Sequence, residues 1–380
     1  MTRQDPAPAG GSPGTVLMCP GQGAYLPGAL RHLHHLPAVR DVLRTVDTLT
    51  SALGRPGPPV GHLLTDPAAP GPDELLARHP LAFDLATYAA VVASAGALLK
   101  SLRTPVDAVL GHSMGDLAAL TVAGAISVHQ GAWLLCVRDR MLRDAALPAA
   151  GLLATDMTTD QTARLLAGGG LRQVRVAARN APAQTVLAGP AGELAAARRA
   201  AQDNGHRATL LTSRTAFHHP LLTDVHRVYR RLLRGRPVDP PTLTVYTATS
   251  GRPARTPAQL RSAAAAHLTT PMTLDHTLRA LHRAGYTTFI DSGPRALLSS
   301  LAKANLPGCR TAAPLRTPAD AARVRARLAT ALGTETGAET VADPGTVGRT
   351  ASRDPCGTGV RPVPHGGCGL SPDEDPGRAW

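Results

Sequence analysis

Aromatic residues are scarce in this 380-residue chain: 3% of the total, as three Phe, two Trp and five Tyr. Any core must therefore be built from Ala, Leu and Val, and the 43% hydrophobic content suffices for a sizeable one. That near-normal fraction, arranged in periodic runs, excludes disorder of the whole chain. Lysine is almost missing too. Only Lys100 and Lys303 stand among 40 basic residues, which face 27 acids for a net charge of +13. An arginine-rich surface suits nucleic acid, membrane or an acidic protein. Nucleic-acid binding needs basic patches interleaved with aromatics, and aromatics are what the chain lacks. No helix-turn-helix, zinc or RNA-binding signature is present, so no nucleic-acid partner is expected.

Cysteine is sparse as well. Cys19, Cys136, Cys309, Cys356 and Cys368 are odd in number and lack metal-ligand spacing. This reads as a reducing, cytoplasmic setting. No H-E-x-x-H or paired-cysteine pattern offers a metal site. The glycines at 168–170 do not open a helix after a strand, so they are not a phosphate loop. Residues 1–14 have no apolar segment of the signal-peptide kind. The longest apolar run, 85–99, stops at Lys100; it is too short for a bilayer and reads as a buried helix, with no membrane partner.

What is present is an alternation of short apolar strands and longer helical stretches, which points to an α/β fold. Strands are expected at 15–19, 107–110 and 287–290, and helices at 116–122, 130–145 and 295–304. A different rhythm occupies 151–213: strand 151–155, helix 159–167, strands 173–178 and 185–188, helix 192–204, strand 207–211. That βαββαβ order is the split-βαβ, ferredoxin-like pattern. The expected organisation is a disordered start (1–14), a large α/β subdomain (15–150 and 214–333), an inserted ferredoxin-like small subdomain (151–213) and a disordered tail (334–380). The tail is net acidic, so the basic excess sits on the body.

Ser113 carries the clearest chemical signal. Gly111-His112-Ser113-Met114-Gly115 matches G-x-S-x-G between an expected strand and an expected helix, the context of a nucleophile elbow. The glycines permit a tight turn that a Cβ would crowd. Ser113 then stands at a helix N-terminus, and the Met114 backbone N–H points where an oxyanion would form. A serine nucleophile needs a base. Among fifteen histidines, His32, His34 and His35 read as solvated. His112 is a poor base, because neighbours in an extended strand point to opposite faces. His218 and His219, where the chain returns to the body, remain equal candidates on spacing alone.

Several separated motifs bear a family resemblance. Pro20-Gly21-Gln22-Gly23, Gly111 to Asp116, Asn180-Ala181-Pro182, Ala216-Phe217-His218 and Gly293-Pro294 occur in the order found in one family. Over roughly residues 16–332 the chain resembles the malonyl-CoA:acyl-carrier-protein transacylases and the acyltransferase domains of fatty-acid and polyketide synthases. The resemblance implies an α/β-hydrolase-like large subdomain with a parallel sheet and a nucleophile elbow. It implies Ser113 as nucleophile, His218 as general base, and the amides of Gln22 and Met114 as oxyanion hole. It also implies Arg138 as the ligand of a malonyl carboxylate, since a planar guanidinium matches a carboxylate in a bidentate fork. His112, His79, Asn180, Phe217 and His267 join the expected substrate site. Three positions depart from the family: Asp116 replaces Glu, and His79 and His267 stand where Gln is usual. At the last of these, relatives use the backbone carbonyl to orient the catalytic histidine.

The implied function is transfer of an acyl group, malonyl before others, from acyl-CoA to the phosphopantetheine thiol of an acidic acyl carrier protein. An acyl-serine forms on the way, no cofactor is bound, and the chain acts in trans in polyketide biosynthesis. The alternatives are an editing hydrolase that removes acyl groups from carrier proteins, or a transferase for an uncharged acyl group.

Overall fold

A computed structural model describes residues 13–315 apart from 56, 102 and 169. The expectations for residues 1–12 and for 316–380, including the tail, lie outside the described residues. In chain order the strands are β1 (Gly14–Cys19), β2 (Ala108–Gly111), β3 (Ala150–Thr155), β4 (Arg175–Ala181), β5 (Gln184–Pro190) and β6 (Ala208–Leu210). They continue with β7 (Thr244–Thr247), β8 (Pro253–Ala254), β9 (Met272–Thr273), β10 (Tyr286–Asp291) and β11 (Arg310–Ala312). They form a six-stranded sheet in the order β11-β10-β1-β2-β7-β8 and a five-stranded sheet in the order β6-β3-β5-β4-β9. The fold is α/β, as the alternation of elements implied.

The large sheet is parallel except for the β7–β8 edge. Parallel strands joined by helical crossovers are covered on both faces, so their residues are apolar throughout. Strand β1 shows this directly. Leu17 and Cys19 enter one core cluster, and Val16 and Met18 enter another. The first cluster holds the helix Pro80–Gly96, buried at every position from Leu81 to Ala95. This helix runs on into the turn Ala97–Ser101, and Pro80–Lys100 is 21 residues long and apolar enough to cross a membrane by length and composition. The element is therefore longer than the apolar run 85–99. Since 94% of its most apolar stretch is buried within the protein, it reads as a core helix.

The small sheet is antiparallel except for the β4–β9 pair. One face of it, with Leu153 and Leu187, packs on the helices Thr159–Ala167 and Ala191–Asp203. The other, with Ala178, Val186 and Ala188, joins the cluster that holds Val16 and Met18. Strand β9 was not expected from sequence, and it ties residues beyond the 151–213 segment to this sheet. Two boundaries moved for visible reasons. Strand β4 starts at Arg175, because the Gln173 amide is taken by the Glu193 carboxylate at 2.8 Å. The helix expected at 295–304 is Leu297–Asn305: Ala296 is left-handed (φ 58°), and the Asp291 carboxylate accepts from the Leu298 and Ser299 amides.

Candidate active site

Ser113 sits between β2 and the helix Gly115–Val122 with φ +60°, a left-handed conformation that costs a non-glycine residue energy. The flanking glycines are required by close approach. A Cβ on Gly115 would lie 2.0 Å from the Cys19 carbonyl oxygen, and one on Gly111 2.5 Å from Asp116 Cα. The loop after β1 packs on the elbow: a Cβ on Gly21 would lie 3.0 Å from the His112 carbonyl oxygen and 3.5 Å from the Met114 amide nitrogen. The loop that carries Gln22 is thus held against Ser113 and Met114.

His218 supplies the partner. Its Nε2 lies 2.8 Å from Ser113 Oγ, and its Nδ1 lies 2.7 Å from the Thr270 carbonyl oxygen. A carbonyl only accepts, so Nδ1 carries the ring proton and Nε2 is left to accept from the serine hydroxyl. Burial pushes the His218 imidazole down to about 4; the Thr270 bond opposes this, and nearby His112 adds to it. The ring is neutral near pH 7, as a base must be. His218 is itself left-handed (φ +60°). Its backbone N–H donates to the His267 carbonyl at 3.0 Å. The carbonyl that orients the ring is therefore that of Thr270, three residues beyond the expected one, while the His267 carbonyl holds the backbone. His219 turns elsewhere: its Nε2 lies 2.7 Å from the Gln173 carbonyl, and its Nδ1 accepts from the Leu221 amide.

A cavity of about 500 Å³ opens over Ser113, with Gln22, Phe83, His112, Asn180 and His218 in its wall. The two faces of the sequence alternation do not apply at the turn, and His112 reaches the same cavity as Ser113. Its Nε2 lies 2.9 Å from Asn180 Oδ1. Asn180 is anchored in turn, its carbonyl accepting from Asn305 Nδ2 at 2.7 Å.

The remaining expected residues lie off this wall. Arg138, on the helix Val128–Asp144, is 1% exposed, so it is no solvated arginine. Its Nη2 donates to Asp84 Oδ2, its Nη1 lies 3.1 Å from His267 Nε2, and its Cζ stands 5.3 Å from the Phe217 ring centre. Burial first, and the Arg138 charge second, hold His267 well below its ordinary value, so a neutral imidazole faces the guanidinium. Phe217 and His267 pack ring to ring at 6.0 Å. His79 is not brought to the cavity. It is half-buried between the helices Pro72–Arg78 and Pro80–Gly96, beside Gly57. The Asp116 carboxyl oxygens have no hydrogen-bond partner among the described residues, and burial raises this carboxyl well above the usual range.

Asp84 was missed. Its Oδ2 takes Arg138 and its Oδ1 accepts from Gln22 Nε2 at 2.7 Å. The signal was available: Asp84 is the lone charge between Arg78 and Lys100. A buried acid in an apolar run calls for a counter-charge. Among the described residues, no cluster of three or more His, Cys, Asp or Glu side chains is suited to a metal.

Residues 17–326 match the family model for the acyl transferase domain. The chain belongs to that family. As an acyltransferase, it keeps the two-subdomain architecture of the solved structures it resembles. It resembles an acyl-carrier-protein S-malonyltransferase from Burkholderia pseudomallei, with 26% identity, a TM-score of 0.73, and coverage of 82% of this chain and 99% of that one. A malonyl-transacylase solved with the acyl-carrier protein of a type II polyketide synthase shares the fold, at 22% identity and a TM-score of 0.73, covering 83% of this chain and 99% of that one. Polyketide synthase GfsA of Streptomyces halstedii is 33% identical over 214 residues, 56% of this chain. The acyltransferase chain spans only 3% of that synthase's length.

Proposed function

We propose that this acyltransferase moves an acyl group from a CoA thioester to the phosphopantetheine thiol of an acyl carrier protein, through an ester on Ser113. The supporting observation is the relay Ser113 Oγ to His218 Nε2 at 2.8 Å, with His218 Nδ1 bound to the Thr270 carbonyl. His218 takes the serine proton as Oγ attacks the thioester carbonyl. The amides of Gln22 and Met114 receive the developing oxyanion. Collapse expels the CoA thiolate, which takes the proton back from His218. In the second half the carrier thiol gives its proton to His218 and attacks the acyl-serine, which frees Ser113. The chemistry needs no resident cofactor; CoA is carried by the substrate.

The net charge of +13 suits an acidic carrier protein, which would be drawn in by long-range attraction. Free Cys19, Cys136 and Cys309 fit a reducing cytoplasm, where such a carrier and CoA thioesters meet. The test is intact-mass measurement of the protein after exposure to acyl-CoA, followed by addition of a holo carrier protein. Transfer predicts an acyl adduct on Ser113 that moves to the carrier. An adduct that is lost to water at the same rate with or without carrier would mark a hydrolase instead.

A further inference from the structure

Among the described residues Arg138 is the one buried arginine, and the way it is partnered bears on which acyl group Ser113 accepts. A guanidinium grips a carboxylate with two parallel N–H groups. It has two such edges, Nε with Nη2 and Nη1 with Nη2, and both include Nη2. In this protein Nη2 donates to Asp84 Oδ2 and lies 3.7 Å from Met114 Sδ. Nη1 faces His267 Nε2, and the guanidinium face lies over Phe217. Only Nε has no partner among the described residues, so a carboxylate approaching along either edge must share Nη2 with Asp84 or displace Asp84 or Met114 from it.

Asp84 also compensates the charge. It is 8% exposed against 1% for Arg138, so the pair faces little water to screen it. A second carboxylate brought to Arg138 would meet the Asp84 carboxylate as a like charge, in a site where an unpaired charge is costly. Asp84 is firmly placed. It lies one turn into the buried helix Pro80–Gly96, and Gln22 Nε2 holds its other oxygen. The cavity wall beside Ser113 offers apolar surface from Leu152, Ala154, Val186, Leu211, Met272 and Leu297, and its arginine, Arg295, is exposed to solvent rather than buried beside the elbow. Neither Asp84 nor Arg138 is part of that wall.

We infer that Asp84 is a specificity-determining residue: by occupying Nη2 of Arg138 it closes the carboxylate fork, so Ser113 takes up acyl groups that carry no free carboxylate. The inference rests on the acyl-serine reading above and assigns its substrate class. Asp84 acts through Arg138 and is a positioning residue, not a catalytic one.

The experiment offers the full-length protein an equimolar mixture of acetyl-, butyryl- and malonyl-CoA and reads the adducts on Ser113 by intact mass. The wild type is expected to carry more acetyl and butyryl than malonyl. Asp84→Asn keeps the shape and the acceptor for Gln22 but removes the charge, and should raise the malonyl-to-acetyl ratio about tenfold or more, the worth of one charge-assisted hydrogen bond. Asp84→Glu, which keeps the charge, should leave uncharged groups preferred. The ratio is independent of how much active protein survives the substitution, so a merely structural role for Asp84 does not move it. Preferential malonyl loading by the wild type overturns the inference, whether or not the Asn variant folds. So does a ratio that Asp84→Asn leaves unchanged. A wild type that takes no acyl group from any of the three overturns the acyl-serine reading itself, and the inference with it.

Discussion

Lowering the pH from 7 to 5 should barely slow acylation of Ser113, and this follows from where His218 sits. The base must be neutral to accept the serine proton. Burial puts His218 at about 4, well under the ordinary 6.5. At pH 5 a group of that pKa is still about 90% neutral, whereas an unperturbed histidine would be about 3% neutral. The rate should therefore fall by about a tenth, not about 25-fold, between pH 7 and pH 5. The assay is single-turnover formation of the acyl-enzyme at sub-saturating acetyl-N-acetylcysteamine, a thioester with no titrating group of its own, quenched and weighed between pH 4 and 8. Half-maximal rate near pH 6.5 would refute the reasoning, because it would mean that water reaches the imidazole. The same shift carries a stability consequence with a defined sign. The unfolded chain protonates His218 near 6.5 and the folded chain only near 4, so stability is lost as pH falls through that window. The full loss is about 3 kcal/mol for this one group.

Ser113→Ala should abolish the acyl adduct and cut turnover on the order of 10³-fold or more, with unchanged thermal stability as the control; an adduct of equal mass on that variant would place the chemistry elsewhere. Gly115→Ala forces a Cβ to within 2.0 Å of the Cys19 carbonyl oxygen, so the elbow and the β1 loop must part. A loss of about 1–3 kcal/mol in urea unfolding is expected, together with loss of acylation. Asn180→Ala removes the partner of His112 Nε2, and the cost should be about 1–3 kcal/mol in stability for a buried polar group left unpaired. Acylation measured per folded molecule should then drop less than in Ser113→Ala, since His218 and Ser113 keep their own bonds.

The elbow is legible in the sequence because its rules are local. Gly111, Ser113 and Gly115 stand at the spacing that a strand-to-helix turn imposes, and the backbone crowding at both glycines is what that spacing records. The βαββαβ order of the small sheet was likewise legible in the alternation of apolar periods. Choosing His218 over His219 was not. Adjacent residues in one turn have the same local sequence, and only the Thr270 carbonyl and the Gln173 carbonyl, brought in from distant elements, send the two rings to different partners. Strand β9 escaped notice because two residues carry no period, and their pairing with β4 is a tertiary event.

Arg138 marks the same boundary from the other side. The sequence determined that an arginine stands on a helix downstream of the elbow, and only the family resemblance implied a carboxylate ligand for it. Whether that guanidinium is free is decided by Asp84, 54 positions earlier in the chain and one residue before the apolar run 85–99 that the sequence marks as a buried helix. Local propensity and periodicity fix which faces are buried, because burial of apolar area is additive along an element. Charge pairing is not additive in that way. It depends on a separation of a few ångströms between side chains that only the packing of the two helices brings together, and in a buried site that separation sets the sign of the interaction with substrate.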